Sequence, residues 1–495
     1  MVSQGLALGI TVATLALFTW LGIRYARGRI TSTDEYLTAR NSTKAGMTTA
    51  TLIASSMGAW ILFSPAETAA AFGGLAALLG YAFGSALPLI VFAWMGPRVR
   101  ELMPKGRSLT EFAQARFGAA MHGYVLLVSL SYMFIFLAAE MTGISGALEL
   151  VAGIPAWQTA ALVGLFVVTY TAYGGLHASI FTDAVQTLII LPLILIAALV
   201  ALVSIGGFGE MTASIQAADA TLLDPGFVPG LQTGLMLTVA ILGAEMLNQA
   251  WWQRIYAAQD AGTLRRSFIW AAMAILPIIL IVGFFGLAAQ GLGLVQAPGD
   301  ASISFFLVTD ATFPAWLSLG VVLLAVLLVM STADTLLNAI SSLATGDLPH
   351  LVDVPTDKLT TWARVLTVVV AIGATFIGAQ GYSVLTLFLF ADLFAAATFI
   401  PLLAGLFSRR LGGGAALTSS VVGLLAGLVL FPYSNAWFAG LPGVGGLLPA
   451  PSMLYAFLAA AGLSGLLTWA LSRMQPVGVD LTRLAKRDLG VEEEA

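Results

Sequence analysis

The chain has 495 residues, 59% hydrophobic and 9% charged, with a mean hydropathy of +0.94; a soluble domain carries about 25% charged residues, so a soluble multidomain enzyme is excluded. A net charge of −4 without a basic stripe argues against a nucleic-acid partner. The absence of cysteine removes disulfide frameworks, Cys-ligated zinc, iron–sulfur clusters and thiol nucleophiles, and His122, His177 and His350 are far apart, with no HExxH pair and no P-loop in the chain.

A transmembrane helix needs roughly 20 apolar residues. Apolar runs of that length predict about thirteen spans, near 5–25, 46–72, 74–96, 119–150, 155–174, 178–206, 231–257, 266–293, 315–345, 360–380, 382–408, 413–432 and 451–472. These runs exceed the roughly ten-residue strands of an outer-membrane barrel, so the fold class is an all-α polytopic membrane protein. The first apolar stretch precedes Arg24, Arg27 and Arg29; a signal peptide carries its charge before the apolar run, so this reads as a retained first helix. Three longer loops, 207–230, 294–314 and 433–450, hold turn residues such as Asp224-Pro225-Gly226. The polar tail after Arg473 is expected to be irregular or a short surface helix.

Cytoplasmic loops collect Lys and Arg. With the N-terminus outside, all 21 basic residues, Arg254, Arg265 and Arg266 among them, fall in inner connections or the tail. The expected location is therefore a cell (inner) plasma membrane, multi-pass, with the C-terminus cytoplasmic.

Six carboxylates stand within predicted spans: Glu67, Glu140, Asp183, Glu245, Asp334 and Asp392. A charge at mid-bilayer costs at least about 2.5–3.5 kcal/mol. With no Lys or Arg expected at comparable depth, these acids must be protonated, hydrogen-bonded, beside water or balanced by a small cation. At about 1.5 Å per residue, Asp183, Ser331 and the Ala54–Met57 stretch share one layer in the inner half of the bilayer. Hydroxyls and freed backbone carbonyls in that layer suit a hard monovalent or divalent cation. Carbonyls are freed where helices break, and Ser55-Ser56-Met57-Gly58 with Ser64-Pro65, and Leu242-Gly243-Ala244-Glu245 with Asn248-Gln249, mark two interrupted spans. These open two five-span blocks, 45–206 and 231–408, of opposite orientation, the pattern that points to a transporter's mid-membrane site. Residues 1–30 are expected to form an N-terminal helix ahead of these blocks (an extra one in the fold that the resemblance below implies), 207–230 an extracytoplasmic loop, 409–473 two C-terminal helices and 474–495 a cytoplasmic tail.

The stretch Gly174-Gly175-Leu176-His177-Ala178 to Thr182-Asp183-Ala184-Val185-Gln186, the run Met330-Ser331-Thr332-Ala333-Asp334 ending in Ser341-Ser342-Leu343-Ala344-Thr345-Gly346-Asp347, and Gln253-Arg254-Ile255-Tyr256-Ala257-Ala258 together resemble the sodium:solute symporter family, from about residue 30 to 410. The resemblance implies a LeuT-like inverted repeat of five plus five helices. It also implies a Na+ site made by the carbonyls of Ala54, Met57 and Leu328 with the hydroxyls of Ser331 and Thr332, and Asp183 near a possible second sodium. Ser56 stands where the family's proline carriers have an aspartate and the galactose carrier an asparagine, so substrate identity does not transfer.

Ser56, Trp60, Ser64, Glu67, Glu140, Glu245, Asn248 and Gln249 would surround a central cavity in such a fold, with Trp251 and Trp252 nearby. Trp252 is expected chiefly as an interface anchor. Carboxylates and aromatic faces without a guanidinium favour a neutral or cationic nitrogen compound. The expected function is sodium-coupled import of a small polar solute such as proline by alternating access, not catalysis, with lipid as the surrounding partner and no obligate protein partner. A faint likeness of Trp60–Phe72 and Met103–Gly118 to the family's urea and polyamine branch keeps urea/polyamine or monocarboxylate symport open, as does an uncoupled facilitator or channel.

Overall fold

Apolar composition and hydrogen-bonding self-sufficiency leave helices as the structural unit. The computed structural model describes residues 2–30, 32–297, 299–351, 359–443, 445–476 and 478–489. In chain order the helices are α1 (Gln4–Ala26), α2 (Thr33–Thr38), α3 (Ala45–Ser55), α4 (Ser64–Ala71), α5 (Gly74–Leu102), α6 (Leu109–Phe117), α7 (Ala119–Ala152), α8 (Ala156–Ile205), α9 (Phe208–Ala218), α10 (Val228–Met246), α11 (Gln249–Ala257), α12 (Ala261–Gly291), α13 (Ser304–Thr312), α14 (Ala315–Leu351), α15 (Leu359–Gly378), α16 (Val384–Ala404), α17 (Gly413–Leu430), α18 (Pro432–Ala439), α19 (Met453–Met474) and α20 (Leu481–Leu489).

Among the described residues ten helices are long and apolar enough to cross a membrane, eleven when the bent pair 45–55 and 59–71 counts as one span. The 50-residue α8 is two limbs, because Gly175 takes φ 51° inside it. Tyr170 and Thr182, on opposite sides of that glycine, both reach the same carboxylate of Asp334, at 2.6 and 3.4 Å. A straight helix would hold them about 18 Å apart, so the chain doubles back there. With the second limb of α8, and with α15, the predicted apolar segments all have helical counterparts. The loops expected at 207–230, 294–314 and 433–450 are in part helical, containing α9, α13 and α18, and the tail forms α20.

The two halves meet through small residues. A Cβ on Gly80 would lie 2.2 Å from Gly234 Cα, and one on Gly73 2.3 Å from Gly230 Cα, so α5 and α10 touch backbone to backbone. At one end of the bundle a clasp joins the first broken helix to the second. Asn41 N–H donates to Tyr256 O at 3.0 Å, Thr43 N–H to Ala257 O at 3.0 Å, and Gln259 N–H to Thr43 O at 2.9 Å. Arg100 braces it, donating to Ala258 O at 2.7 Å and Asn41 Oδ1 at 2.6 Å.

Candidate functional site

The first broken helix is interrupted by its own sequence. α3 stops at Ser55, Gly58 is extended, a 3-10 turn covers Ala59–Leu62, and α4 starts with Pro65 in its first turn, where the missing N–H costs nothing. The helix axis turns by 57°. Ser56 and Met57 close the end of α3 onto Ile53 O and Ala54 O at 3.2 and 3.0 Å, and Met57 O accepts no backbone hydrogen bond among the described residues. Ala59 N–H, which a continuous helix would aim at Ser55 O, donates instead to Glu140 Oε2 at 2.7 Å.

Beside this break lies a fully buried polar cluster. Asp183, on the second limb of α8, accepts from Thr51 at 2.6 Å, Ser55 at 3.0 Å and Ser331 at 2.5 Å, and Arg254 Nη2 stands 3.3 Å from its Oδ2. Arg254 also donates to Ser55 and Thr335 at 3.0 and 2.8 Å. Asp334 is held by Tyr170 at 2.6 Å and Ser179 at 2.8 Å. The expectation that no basic residue reaches the depth of these acids is therefore corrected. Arg254 is 0% exposed, because the nine-residue α11 places it three residues before the helix end and turned inward. Basic-residue counting assigned it to a connection, since a count sees the sequence neighbours and not the face of the helix.

The five residues of the implied sodium site, Ala54, Met57, Leu328, Ser331 and Thr332, are all buried, and α14 packs against both α3 and the 3-10 turn. The Thr332 hydroxyl is buried without a hydrogen-bond partner. Ser331 spends its proton on Asp183, which leaves oxygen lone pairs for a cation. The Thr332 hydroxyl, the Met57 carbonyl and the Ser331 lone pairs are hard oxygens, the kind a hard cation takes.

On the other side of the break a cavity of about 60 Å³ is lined by Ser55, Ser56 and Trp60, by Tyr81, Ser85 and Pro88 of α5, by Tyr132 and Phe136 of α7, by Glu245 and Trp251 of the second broken helix, and by Phe388, Leu389 and Asp392 of α16, among others. Glu245 accepts from Tyr132 Oη at 3.1 Å, Asn248 Nδ2 at 3.0 Å and Trp251 Nε1. The Trp60 ring stands 6.0 Å from Tyr81 and 6.1 Å, edge-on, from Phe388, and its Nε1 is buried without a partner. Among the described residues no Lys, Arg or His lines this cavity.

Of the eight residues predicted around a solute, Ser56, Trp60 and Glu245 line the cavity. Asn248 supports it from behind, bonding Glu245 and capping α11 through Ala250 N–H at 3.0 Å. Ser64 and Glu67 are buried within α4, each with an unpartnered side-chain oxygen, and Glu140 is behind the break. Gln249 points the other way, accepting from Leu109 N–H at 3.0 Å and donating to Arg107 O at 2.9 Å. Trp252, expected as an interface anchor, is 0% exposed. It stacks on Phe112 at 5.9 Å and donates to Met246 O, so it is a packing residue between α11 and α6. Sequence reasoning did not single out Tyr81, Ser85, Tyr132 and Phe388. The only signal was a helical spacing of polar and aromatic residues, Tyr81 with Ser85 and Tyr132 with Phe136, which membrane helices display for packing as well.

Two interrupted helices meeting at a cavity that holds carboxylates, in a many-spanning helical bundle, define a membrane transporter. The chain belongs to the sodium:solute symporter family, which matches residues 36–423. It is similar to the spermidine transporter DUR31 of Candida albicans, 27% identical over 76% of this chain and 70% of the relative. It is also similar to the urea active transporter of Saccharomyces cerevisiae, 26% identical over 58% of this chain, and to the urea-proton symporter DUR3 of Oryza sativa, 25% identical over 68%. The matches span 41% of the yeast protein and 51% of the rice one. Among solved structures it resembles a substrate-bound, outward-open Na+-coupled sialic acid symporter, with TM-score 0.77, 16% identity and coverage of 96% of this chain and 99% of that one. MhsT in complex with L-phenylalanine matches with TM-score 0.55 and 14% identity over 87% of this chain and 98% of that one. The fold is therefore the LeuT-like one, and these relatives are transporters, not enzymes.

Proposed function

We propose that the protein is a sodium-coupled symporter that carries a small neutral or cationic nitrogen compound across the plasma membrane by alternating access, with its N-terminus outside and its C-terminus in the cytoplasm. The observation that carries this reading is the cavity itself: two carboxylates, Glu245 and Asp392, and an aromatic wall of Trp60, Tyr81 and Tyr132, with no basic side chain among the described residues that line it. Amines and ureas donate hydrogen bonds to carboxylates, and cationic amines are also attracted to aromatic faces, whereas a multivalent anion would be repelled by both carboxylates and lose its hydration. Sodium coupling is supported by the buried oxygen donors at Met57, Ser331 and Thr332, with Ser331 joined through Asp183 to the cavity-lining Ser55.

Among nitrogen compounds, urea and polyamines are favoured by the named substrates of the Candida and yeast relatives. The name of the rice relative raises proton coupling as a second reading. The test is uptake of radiolabelled urea, spermidine and proline into proteoliposomes, under an inward sodium gradient and, separately, an inward proton gradient. Saturable accumulation of at least one of them driven by sodium supports the proposal. Accumulation driven by protons alone overturns the coupling ion, and uptake that only equilibrates under both gradients makes the protein a facilitator.

A further inference from the structure

A carboxylate carried by another helix enters the break in the first helix. Gly58 has no side chain, and a Cβ there would sit 2.1 Å from Glu140 Oε1, so the Glu140 carboxylate occupies the volume a side chain at position 58 would take. Glu140, Gly143 and Gly146 follow at three-residue intervals and therefore share one face of α7. A Cβ on Gly143 would lie 3.2 Å from Ala59 Cβ, and one on Gly146 3.6 Å from Phe63. Gly143 thus lets α7 approach the 3-10 turn closely enough for the carboxylate to enter the break, whereas a methyl at Gly146 would make only an ordinary contact. Once there, Glu140 takes the Ala59 N–H that a continuous helix would spend on Ser55 O. Glu140 is 0% exposed, does not line the cavity, and its Oε1 has no partner.

We infer that Glu140 is a positioning residue: by supplying the acceptor for Ala59 N–H from behind, it holds the helix open and so keeps the Met57 carbonyl available to a cation, without touching cation or solute. This rests on the sodium reading above for its functional consequence, and on geometry alone for its structural one. The binding surface faces one side of residues 55–60 and Glu140 the other, so the break is clamped between the solute cavity and a carboxylate anchored on α7.

The experiment uses the full-length protein in lipid nanodiscs, with equilibrium binding of radioactive sodium alone and amide hydrogen exchange over residues 55–63. Glu140→Ala is expected to raise the sodium concentration for half-saturation by about tenfold or more, as loss of a partner that orients a ligand does, and to speed exchange of the Ala59 amide. Glu140→Gln keeps a carbonyl oxygen for the same N–H and restores both measurements towards wild type; Glu140→Asp, one methylene short, behaves as the Ala variant does and serves if the Ala variant does not fold. Unchanged sodium affinity and unchanged exchange in Glu140→Ala or Glu140→Asp overturn the inference, as does a Gln variant as impaired as Ala. A wild-type protein that binds no sodium refutes the coupling ion instead, and the exchange measurement still decides the role of Glu140.

Discussion

Arg254 and Asp183 form a buried ion pair whose removal in two ways should give opposite results. At 3.3 Å and an effective dielectric of about 20, the attraction is about 5 kcal/mol. Asp183 keeps three hydroxyl donors, Thr51, Ser55 and Ser331, when the guanidinium is lost, so part of its charge stays solvated. Breaking one side of such a pair costs about 3–5 kcal/mol, whereas replacing both sides with neutral groups of similar volume is close to neutral. Arg254→Met is therefore expected to destabilise the protein by about 3 kcal/mol or more, and Asp183→Asn/Arg254→Met to recover most of that loss. The assay is reversible unfolding in mixed micelles, run for wild type, both single variants and the double variant as a thermodynamic cycle. Additive losses, with the double variant the least stable of the four, would refute the idea that the two charges are worth having only together.

Three further outcomes are expected. Ser331→Ala/Thr332→Ala should raise the sodium requirement for uptake by a large factor while leaving the solute cavity intact; sodium titration of transport in proteoliposomes checks it, and an unchanged requirement removes these hydroxyls from the site. Glu245→Gln should weaken uptake of a cationic amine by about tenfold or more, the worth of a charge-assisted hydrogen bond, and that of urea by less, as read from competition between the two solutes. Gly175→Ala should lower thermal stability, since φ 51° is unfavourable for an L side chain and its Cβ would lie 2.5 Å from Tyr36 O, costing at least about 1–2 kcal/mol; a variant as stable as wild type would show that the turn between the limbs of α8 is adaptable.

The spans were legible because a bilayer imposes one length and one composition on every helix, and the first break was legible because Gly58 and Pro65, seven positions apart, both interrupt a helix within one apolar run. The depth arithmetic also brought Asp183, Ser331 and the 54–57 stretch into one layer, and Asp183 does bond Ser331 and Ser55. What one sequence does not encode locally is which way a side chain turns. Arg254 and Trp252 look like inner-edge residues by position and are buried because α11 is short and packed on all sides. Gln249 differs from Glu245 by about one helical turn across an irregular break at Leu247–Asn248, and that break rotates it out of the cavity. Tyr81 and Tyr132 reach the cavity through the packing of α5 and α7, information distributed over residues far apart in the chain.

The clasp between Asn41–Thr43 and Tyr256–Gln259 has a mechanical consequence. It fastens the entrance of α3 to the exit of α11 with backbone hydrogen bonds and, through Arg100, fastens both to the end of α5. A hinge that swings the leading half of the first broken helix by itself must tear this seam and strand its amides. A motion that carries α3, α5 and α11 as one lever leaves it whole. The seam thus works as a weld, and under the alternating access proposed above it favours rocking of a joined unit over the flapping of a single helix.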